Sequence, residues 1–499
     1  MKILISISNT SGIVSFIKKL TNFYSEIEII ATSGTSKYLK ENDVYSLEIS
    51  DYIDFPEILN GRVKTLHPKI FGGILSKKNS KNHDKELKKY NISKIDMVIC
   101  NLYQFEKIIN SNKFNNEEAI ENIDVGGASI LRAAAKNYHD VIVISDPSDY
   151  ESVLNSISGN TLNIDVRKKL ASKVFNYLSD YDNKVAKYLE NNKDTTIIKN
   201  EKLSKLRYGE NPHQIGYIQK NESLKGIANS TLISGKEMSY NNYLDADIAF
   251  NATNSFKKNC VSIVKHSNIC GLSINFNQLN AFKDAVSGDP VSAYGGILGF
   301  NSLLEEEVSC EIVKSYFEIV IAPEFSIKAL EILKKRKNLR ILQATYSAPN
   351  QLYYRSISGG MLAQSQNLDE KYDLKVMTQN FPTNQQLEDL KFAWKLCSFV
   401  KSNAIILAKN NTLLGMGAGQ PNRVMSVKIA GEVAGEKSID SVMASDAFFP
   451  FKDSIIKASD LGVKCIIQPG GSINDHKVID EANKKGISMI FTNQRRFTH

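Results

Sequence analysis

The feature that most constrains this chain is an alternation, kept from end to end, of short apolar runs with stretches of helical period. In the first 150 residues the runs at 3–7, 27–31 and 97–100 are strand-like, and residues 13–20 place apolar side chains at helical spacing between the first two. Residues 141–145 add a fourth strand. Strands that alternate with helices pair in parallel, because each crossover helix carries the chain back to the edge it left. Residues 165–190 predict a long helix that closes this first body, and residues 191–201, of mixed charge and little apolar periodicity, read as a linker. Beyond it the alternation resumes, with strands predicted at 261–265, 297–300, 319–322, 405–408 and 464–467. The expected class is α/β in two bodies, residues 1–195 and 200–499, the second divided into two lobes near 365–375. No short-period repeat of the solenoid kind is visible.

The length supports this division, since 499 residues exceed the roughly 250–300 at which a single core stops growing. No apolar run approaches the ~18 residues of a membrane span. The start, Met1-Lys2-Ile3-Leu4-Ile5-Ser6, reads as a first strand and not as a secretory signal, so a cytoplasmic address is expected. Cys100, Cys260, Cys270, Cys310, Cys397 and Cys465 are scattered without a CxxC pair, which points to reduced thiols and away from a disulfide framework or a zinc ribbon. The 62 basic and 54 acidic residues leave a formal net charge of +8 spread without a basic block. That balance suits small anionic ligands, and neither a nucleic acid nor a membrane is an expected partner.

Four clusters in the first body sit where ligands bind in parallel sheets, at strand ends. Thr32-Ser33-Gly34-Thr35-Ser36 follows a predicted strand and opens a helix, where free backbone N–H groups can cradle a phosphate. Gly61-Arg62-Val63-Lys64-Thr65-Leu66-His67 gathers cationic side chains as an anion pocket would. Asn101-Leu102-Tyr103 ends the strand at 97–100. Asp124-Val125-Gly126-Gly127 opens a helix carrying Arg132 and Lys136; its glycines permit close backbone approach, and its aspartate can act as cap or as acid/base. Each cluster alone has an ordinary structural explanation, in capping or in a solvated loop; four in one domain are harder to explain that way.

The second body carries Arg207-Tyr208-Gly209-Glu210-Asn211-Pro212-His213-Gln214, dense enough in chemistry to be a binding loop. Lys265-His266-Ser267-Asn268 follows a strand, where the Lys charge would depress the histidine pKa and suit it to general acid/base work. Asp289-Pro290-Val291-Ser292-Ala293-Tyr294-Gly295-Gly296 precedes another strand, and Asn403, with a donor and an acceptor, precedes the strand at 405–408. Ser445 to Asp453 joins three phenylalanines to carboxylates, as a flat heteroaromatic ligand requires. Gly415-Met416-Gly417-Ala418-Gly419-Gln420 lacks the spacing of a dinucleotide fingerprint, and that reading is rejected.

In order along the chain these motifs resemble the bifunctional family that joins AICAR formyltransferase to IMP cyclohydrolase. The strings that carry the resemblance are LRYGENPHQ (206–214), SYNNYLDAD (239–247), DPVSAYGG (289–296), GMGAGQ (415–420) and SDAFFPF (445–451). The resemblance implies a methylglyoxal-synthase-like N-terminal domain, a C-terminal body of two cytidine-deaminase-like lobes without zinc, and a homodimer. It implies no tightly bound cofactor, with 10-formyltetrahydrofolate as co-substrate and AICAR, FAICAR and IMP as the other ligands. By matched position, His266 would accept the proton, Lys265 would assist it, and Asn403 would orient the formyl group. Arg207, Tyr208, Asn241, Gly295 and Arg495 would hold the nucleotide, with Pro450, Phe451 and Asp453 near the folate. In the first body Lys64, Tyr103, Asp124 and Lys136 would carry ring closure, and Ser8, Ser33, Gly34, Thr35, Ser36, Arg62, Thr65, Asn101, Gly126 and Gly127 would bind the nucleotide.

The chain departs from the family pattern at Asn9-Thr10-Ser11, where Asp-Lys-Thr is usual, at Ser33 for a glycine, at Ile269 for a proline, and at 363–366 for Val-Gln-Asp-Arg. Two rival readings are a zinc deaminase, whose H-x-E and P-C-x-x-C strings are absent, and a non-catalytic nucleotide-binding regulator that would leave His266 and Asn403 idle.

Overall fold

The computed structural model describes residues 1–109, 115–190, 203–221, 224–346, 352–365 and 372–499. The linker expected at 191–201 lies outside these residues, as does most of the lobe boundary expected near 365–375. The chain divides into two compact units, Met1–Lys199 and Asn200–His499.

The first unit is built on five parallel strands, β1 Lys2–Ser6, β2 Glu28–Ala31, β3 Leu47–Glu48, β4 Met97–Cys100 and β5 Ile142–Ile144, in the order β3-β2-β1-β4-β5. The helix Ile13–Leu20 buries Ile13, Phe16, Ile17 and Leu20, the stripe its spacing predicts. The same core holds Ile3, Leu4, Ile5 and Ile30, all fully buried on the two faces of the sheet, each stabilising the fold by roughly 1.5–3 kcal/mol relative to exposure. The long helix runs over Ile164–Leu189, with Asn163 capping its first amides. The strand order reverses at β1: the chain builds outward through β2 and β3, then returns to lay β4 on the other side. The carboxyl ends of β1 and β4 therefore flank the switch point, the crevice where open α/β sheets take their ligands.

The second unit opens with a small hairpin, β6 Leu203–Lys205 and β7 Tyr217–Gln219. Its main sheet then uses β8 Thr231–Ser234, β9 Cys260–Lys265, β10 Asn268–Ile274, β11 Ile297–Phe300, β12 Ile319–Ala322 and β13 Arg340–Gln343. A separate hairpin follows, β14 Tyr353–Ile357 and β15 Gly360–Gln364. The sheet resumes with β16 Lys375–Val376, β17 Ile405–Lys409, β18 Thr412–Gly417, β19 Val442–Ser445, β20 Cys465–Gln468 and β21 Ser488–Phe491. The twelve main strands form one sheet in the order β16-β21-β20-β19-β17-β18-β10-β9-β11-β12-β13-β8.

That order contains a duplication. In each half an antiparallel hairpin (β9/β10, β17/β18) is followed by three parallel strands (β11-β12-β13, β19-β20-β21), and a short antiparallel strand (β8, β16) covers the far edge. The helix before each hairpin carries a reciprocal cap, Ser239 with Asn242 ahead of Tyr240–Asn254 and Thr383 with Gln386 ahead of Asn384–Leu396. The halves meet where Ser273 of β10 pairs with Thr412 of β18, side-chain hydroxyls 2.8 Å apart. The sequence shows no such repeat because it survives in topology and turn geometry while the residues have diverged.

Candidate active sites

In the first unit Ser8 and Asn9 leave the end of β1 and donate their backbone N–H groups to Asn101 Oδ1, at 2.7 and 2.8 Å, while Asn101 Nδ2 returns a bond to Asn9 O at 3.0 Å. The Ser8 hydroxyl donates to Leu102 O at 2.6 Å. Ser8 and Asn101 thus lock the two strand ends across the switch point. Thr32 stands at the N-cap position of the helix Ser33–Lys40 without a side-chain bond to its amides, and Ser33, Gly34, Thr35 and Ser36 form the first turn. Two of the predicted phosphate hydroxyls face inward: Thr35 Oγ1 accepts from Ile7 N at 3.1 Å, and the buried Ser36 hydroxyl lies 2.9 Å from that of Ser46. Ser33 donates to Glu57. What this turn offers an anion is its backbone, with Gly34 exposed.

Lys64 Nζ donates to the Tyr103 hydroxyl at 3.0 Å. Burial works against the lysine charge, but Tyr103, Glu57 and Asp124 outweigh it and its pKa is raised. Asp124 accepts from Gly127 N at 2.7 Å at the start of the helix Gly126–Lys136. Burial raises the Asp124 carboxyl above its usual range, against the lowering effects of the Gly127 and Tyr103 amides and the Lys64 charge. Thr65 is buried against Gly126, where a β-carbon would stand 2.4 Å from its hydroxyl. Lys64, Thr65, Tyr103, Asp124, Gly126 and Gly127 therefore converge.

Two expected residues stand differently. Arg62 is exposed and paired with Glu121, an ion pair of little energetic weight at the surface. Lys136 ends the helix that Gly126 begins, about 15 Å of helical rise further on, exposed and apart from Asp124. Arg132, one turn before it, pairs with Asp182. Sequence reasoning missed the support behind the strand end: Tyr177 OH accepts from Leu102 N at 3.1 Å, and Tyr181 OH accepts from Asp124 N at 2.8 Å. Their spacing of four on the predicted helix was the available signal.

In the second unit Lys265 ends β9, and its Nζ donates to Tyr294 O at 2.8 Å, beside Gly295 at φ 77°. His266 and Ser267 form the two-residue turn to β10, both left-handed, at φ 51° and 60°. Asp245, on the helix Tyr240–Asn254, accepts from their backbone N–H groups at 3.1 and 2.6 Å. Asn241, on the same helix, donates to Glu210 O at 3.0 Å and so ties down the loop that holds Arg207 and Tyr208. The Arg207 guanidinium lies 5.6 Å from the centre of the Tyr208 ring.

Asn403 precedes β17. Arg423 Nη2 donates to its Oδ1 at 2.6 Å, and its Nδ2 donates to Gln420 O at 2.7 Å. Arginine only donates, so the atom facing it is the amide oxygen, and the second Nδ2 hydrogen remains available. Arg423 is itself fixed by the buried Asp446 and by Ser445. Pro450, Phe451 and Asp453 follow β19; Asn474 donates to Pro450 O at 3.0 Å, Phe451 is exposed, and Asp453 starts a helix. Arg495, after β21, lies 5.2 Å from the Phe448 ring centre.

The register relates the two halves of this site. β10 descends from His266 to Ser273, pairs there with Thr412, and β18 climbs back to Gly417, which pairs with Ile405 at the start of β17. His266 and Asn403 therefore emerge at the same edge of one sheet. Two strand steps separate β10 from β17, at least roughly 10 Å, since the pairing of β10 with β18 lies at the opposite edge. Among the described residues no group of three His, Cys, Asp or Glu side chains could hold a metal ion. No helix of the described residues is long and apolar enough to cross a membrane.

Polar and titratable groups gathered at the open edges of two α/β bodies define a small-molecule enzyme with two sites. The chain belongs to the AICARFT/IMPCHase bienzyme family, whose profile matches residues 134–433, while an MGS-like domain profile matches residues 12–129. It is 44% identical over 545 residues to the bifunctional purine biosynthesis protein purH of Dictyostelium discoideum, covering all of both chains. It is 46% identical over 509 residues to the PurH protein of Thermoanaerobacter sp. (strain X514), covering 100% of this chain and 99% of that one. The crystal structure of ForH matches 38% of this chain and 99% of its own at 31% identity and a TM-score of 0.34.

Proposed function

We propose that the first unit closes a ring and the second transfers a formyl group, through the residues assembled above. As a member of its family the chain performs the last two steps of IMP synthesis. A formyl group passes from 10-formyltetrahydrofolate to the 5-amino group of AICAR, and the product, FAICAR, closes to IMP with loss of water.

In the transfer the AICAR amine forms a bond to the formyl carbon, and the bond from that carbon to N10 of the folate breaks. The amine is a weak nucleophile, its lone pair delocalised into the ring and carboxamide. His266 takes its proton as the new bond forms and delivers it to N10 as the old bond breaks, so that tetrahydrofolate leaves neutral at that nitrogen. One of the three Lys265 donors is held by Tyr294 O, and the others face the developing oxyanion. The remaining Asn403 amide hydrogen orients the formyl oxygen. Arg207, Tyr208, Asn241, Gly295 and Arg495 bind the nucleotide, and Phe451, with Pro450 and Asp453, offers a face to the folate. The observation that carries this reading is the common sheet edge of His266 and Asn403.

In ring closure the carboxamide nitrogen attacks the formyl carbon and its oxygen leaves as water. Asp124, with its raised pKa, accepts the carboxamide proton and returns it to the oxyanion, which the Lys64 ammonium, kept charged beside Tyr103, stabilises; Lys64 then protonates the hydroxyl as it leaves as water, and the proton lost from the formamido nitrogen as the C=N bond forms restores the ammonium. The first turn of Ser33–Lys40 holds the phosphate through backbone N–H groups.

The reading includes a homodimer and a cytoplasmic address. The β14/β15 hairpin supports the first: all its residues are exposed, among them Tyr353, Tyr354, Ile357, Met361 and Leu362, and an isolated hairpin is marginal in water without something packed on it. Six free cysteines support the second. The deciding assay supplies AICAR and 10-formyltetrahydrofolate and follows tetrahydrofolate and IMP separately. Release of tetrahydrofolate followed by IMP is expected; tetrahydrofolate release without AICAR, or no release at all, would refute the reading.

A further inference from the structure

We infer that Asp245 is the positioning residue of the formyl-transfer site, holding His266 through the backbone of its turn. The inference rests on the reading of His266 as proton acceptor. Two consecutive non-glycine residues in the left-handed region are costly, so a turn such as His266-Ser267 needs an external restraint to keep one geometry. Asp245 supplies it: each carboxylate oxygen receives one backbone N–H, Oδ2 from His266 and Oδ1 from Ser267. The turn backbone is held further where Asn268 Nδ2 donates to His266 O at 2.9 Å. The imidazole itself is exposed, so where it stands over the sheet edge is set by the turn.

The duplicated half contains the same device without the histidine. Asp389 lies as far beyond its helix cap Thr383 as Asp245 lies beyond Ser239. It accepts from the backbone N–H groups of Asn410 and Asn411 at 2.9 and 2.7 Å, and these two residues are also left-handed, both at φ 53°. This turn joins β17 to β18 at the edge opposite His266 and Asn403. One clamp therefore serves twice as scaffold, and only the copy under His266 bears on catalysis. Asp389 is a control that the fold itself provides.

The test uses the full chain and two activities in one preparation, with conversion of supplied FAICAR to IMP reporting an intact first unit and Tm reporting the fold of the second. Asp245→Ala is expected to lower kcat for formyl transfer about 10- to 100-fold, as a displacement near 1 Å does, with the KM for AICAR nearly unchanged and ring closure intact. Asp245→Asn keeps an acceptor oxygen for only one of the two amides and should lose several-fold, less than the alanine variant, with the midpoint of the kcat–pH profile unmoved. Asp389→Ala, at the more buried copy, should lower Tm at least as much as Asp245→Ala does, yet keep kcat within about twofold. A kcat within about twofold of wild type for Asp245→Ala, or an equal loss for Asp389→Ala, overturns the proposal. If the alanine variant fails to fold, Asp245→Asn against Asp389→Asn decides it: a several-fold loss only in the former supports the role, and equal values overturn it. His266→Ala separates the two levels. Transfer surviving in that variant sinks the proton-acceptor reading, whereas transfer lost there but intact in Asp245→Ala sinks the positioning role alone.

Discussion

Lys64 Nζ and the Tyr103 hydroxyl meet at 3.0 Å, joining a loop that precedes the helix Pro68–Leu75 to the end of β4. Neither residue is held in place by a rigid element of its own, so each orients the other beside Asp124. Lys64→Ala should therefore abolish ring closure, by about 10²- to 10⁴-fold, the range expected for losing a group that moves a proton. Formyl transfer should continue, so FAICAR accumulates and can be resolved from IMP by chromatography. Tyr103→Phe removes only the hydroxyl and should cost less than Lys64→Ala. Equal rates of IMP formation in Lys64→Ala and wild type would exclude the lysine from the site.

Asp124 gives a pH dependence with a definite sign. Burial raises its folded pKa above the ordinary value of 3.8. Between the unfolded value and the raised folded value the native state binds more protons than the unfolded chain, so stability falls as pH rises through this window. At neutral pH the buried charge therefore costs stability that an amide would not. Asp124→Asn should raise the melting temperature of the first unit at pH 7, with the gain shrinking as the pH falls toward 4, and should eliminate ring closure. Calorimetry at the two pH values reads the first effect; a variant less stable than wild type at pH 7 would contradict it.

Gly126 admits no side chain: a β-carbon would stand 2.4 Å from Thr65 Oγ1. Gly126→Ala must push the 61–67 loop away from the helix terminus, a local overpacking worth about 1–3 kcal/mol. Because that loop carries Lys64, ring closure should fall at least tenfold while formyl transfer in the second unit stays normal. Restored ring closure in the double variant Gly126→Ala, Thr65→Ser would show that the methyl of Thr65 blocks relaxation; a fall in both activities of the single variant would indicate global damage instead.

Much of this architecture was legible because its strands are buried on both faces. Runs such as Ile3-Leu4-Ile5 and Val261-Ser262-Ile263-Val264 have nowhere else to go, and the predicted edges fall within a residue or two of the observed ones. The strands that the sequence did not reveal include β3 and β16, of two residues each, and the half-exposed edge β8, but also β10, β13, β18, β19 and β21, which are largely buried and whose apolar runs are broken or flanked by Gly, Ser, Arg or Gln. Site residues adjoining strand ends, such as Ser8, Asn101, Tyr103, Lys265, His266 and Asn403, were legible as strand mouths. Lys136, expected in the site by matched position, ends the helix that Gly126 begins, and three turns of helix carry it away from Asp124. Arg62 looked free only because Glu121, far off in sequence, could not be paired with it by reading along the chain. Asp245, Tyr177 and Tyr181 act through backbone amides of distant segments, a relation that no local pattern encodes.

Arg423 couples stability to catalysis in the second unit. Its guanidinium bonds Asp446 and Ser445 through Nη1 and Asn403 Oδ1 through Nη2, and both Arg423 and Asp446 are buried. Removing one member of a buried pair leaves the other charge uncompensated, which costs about 3–5 kcal/mol. Arg423→Met should lower the unfolding free energy of the second unit by about that much. It should also release the Asn403 amide, since Gln420 O then holds only its nitrogen side, so formyl transfer should fall even under conditions where the variant is fully folded. Arg423→Lys keeps a charge for Asp446 but has no planar fork to reach Asn403 as well. It should therefore recover more of the stability than of the transfer rate, and that separation distinguishes orientation of Asn403 from a loss of fold. Denaturant titration followed by transfer assays on the folded fraction measures both; parallel recovery of stability and rate in Arg423→Lys would mean that Asn403 does not depend on its arginine.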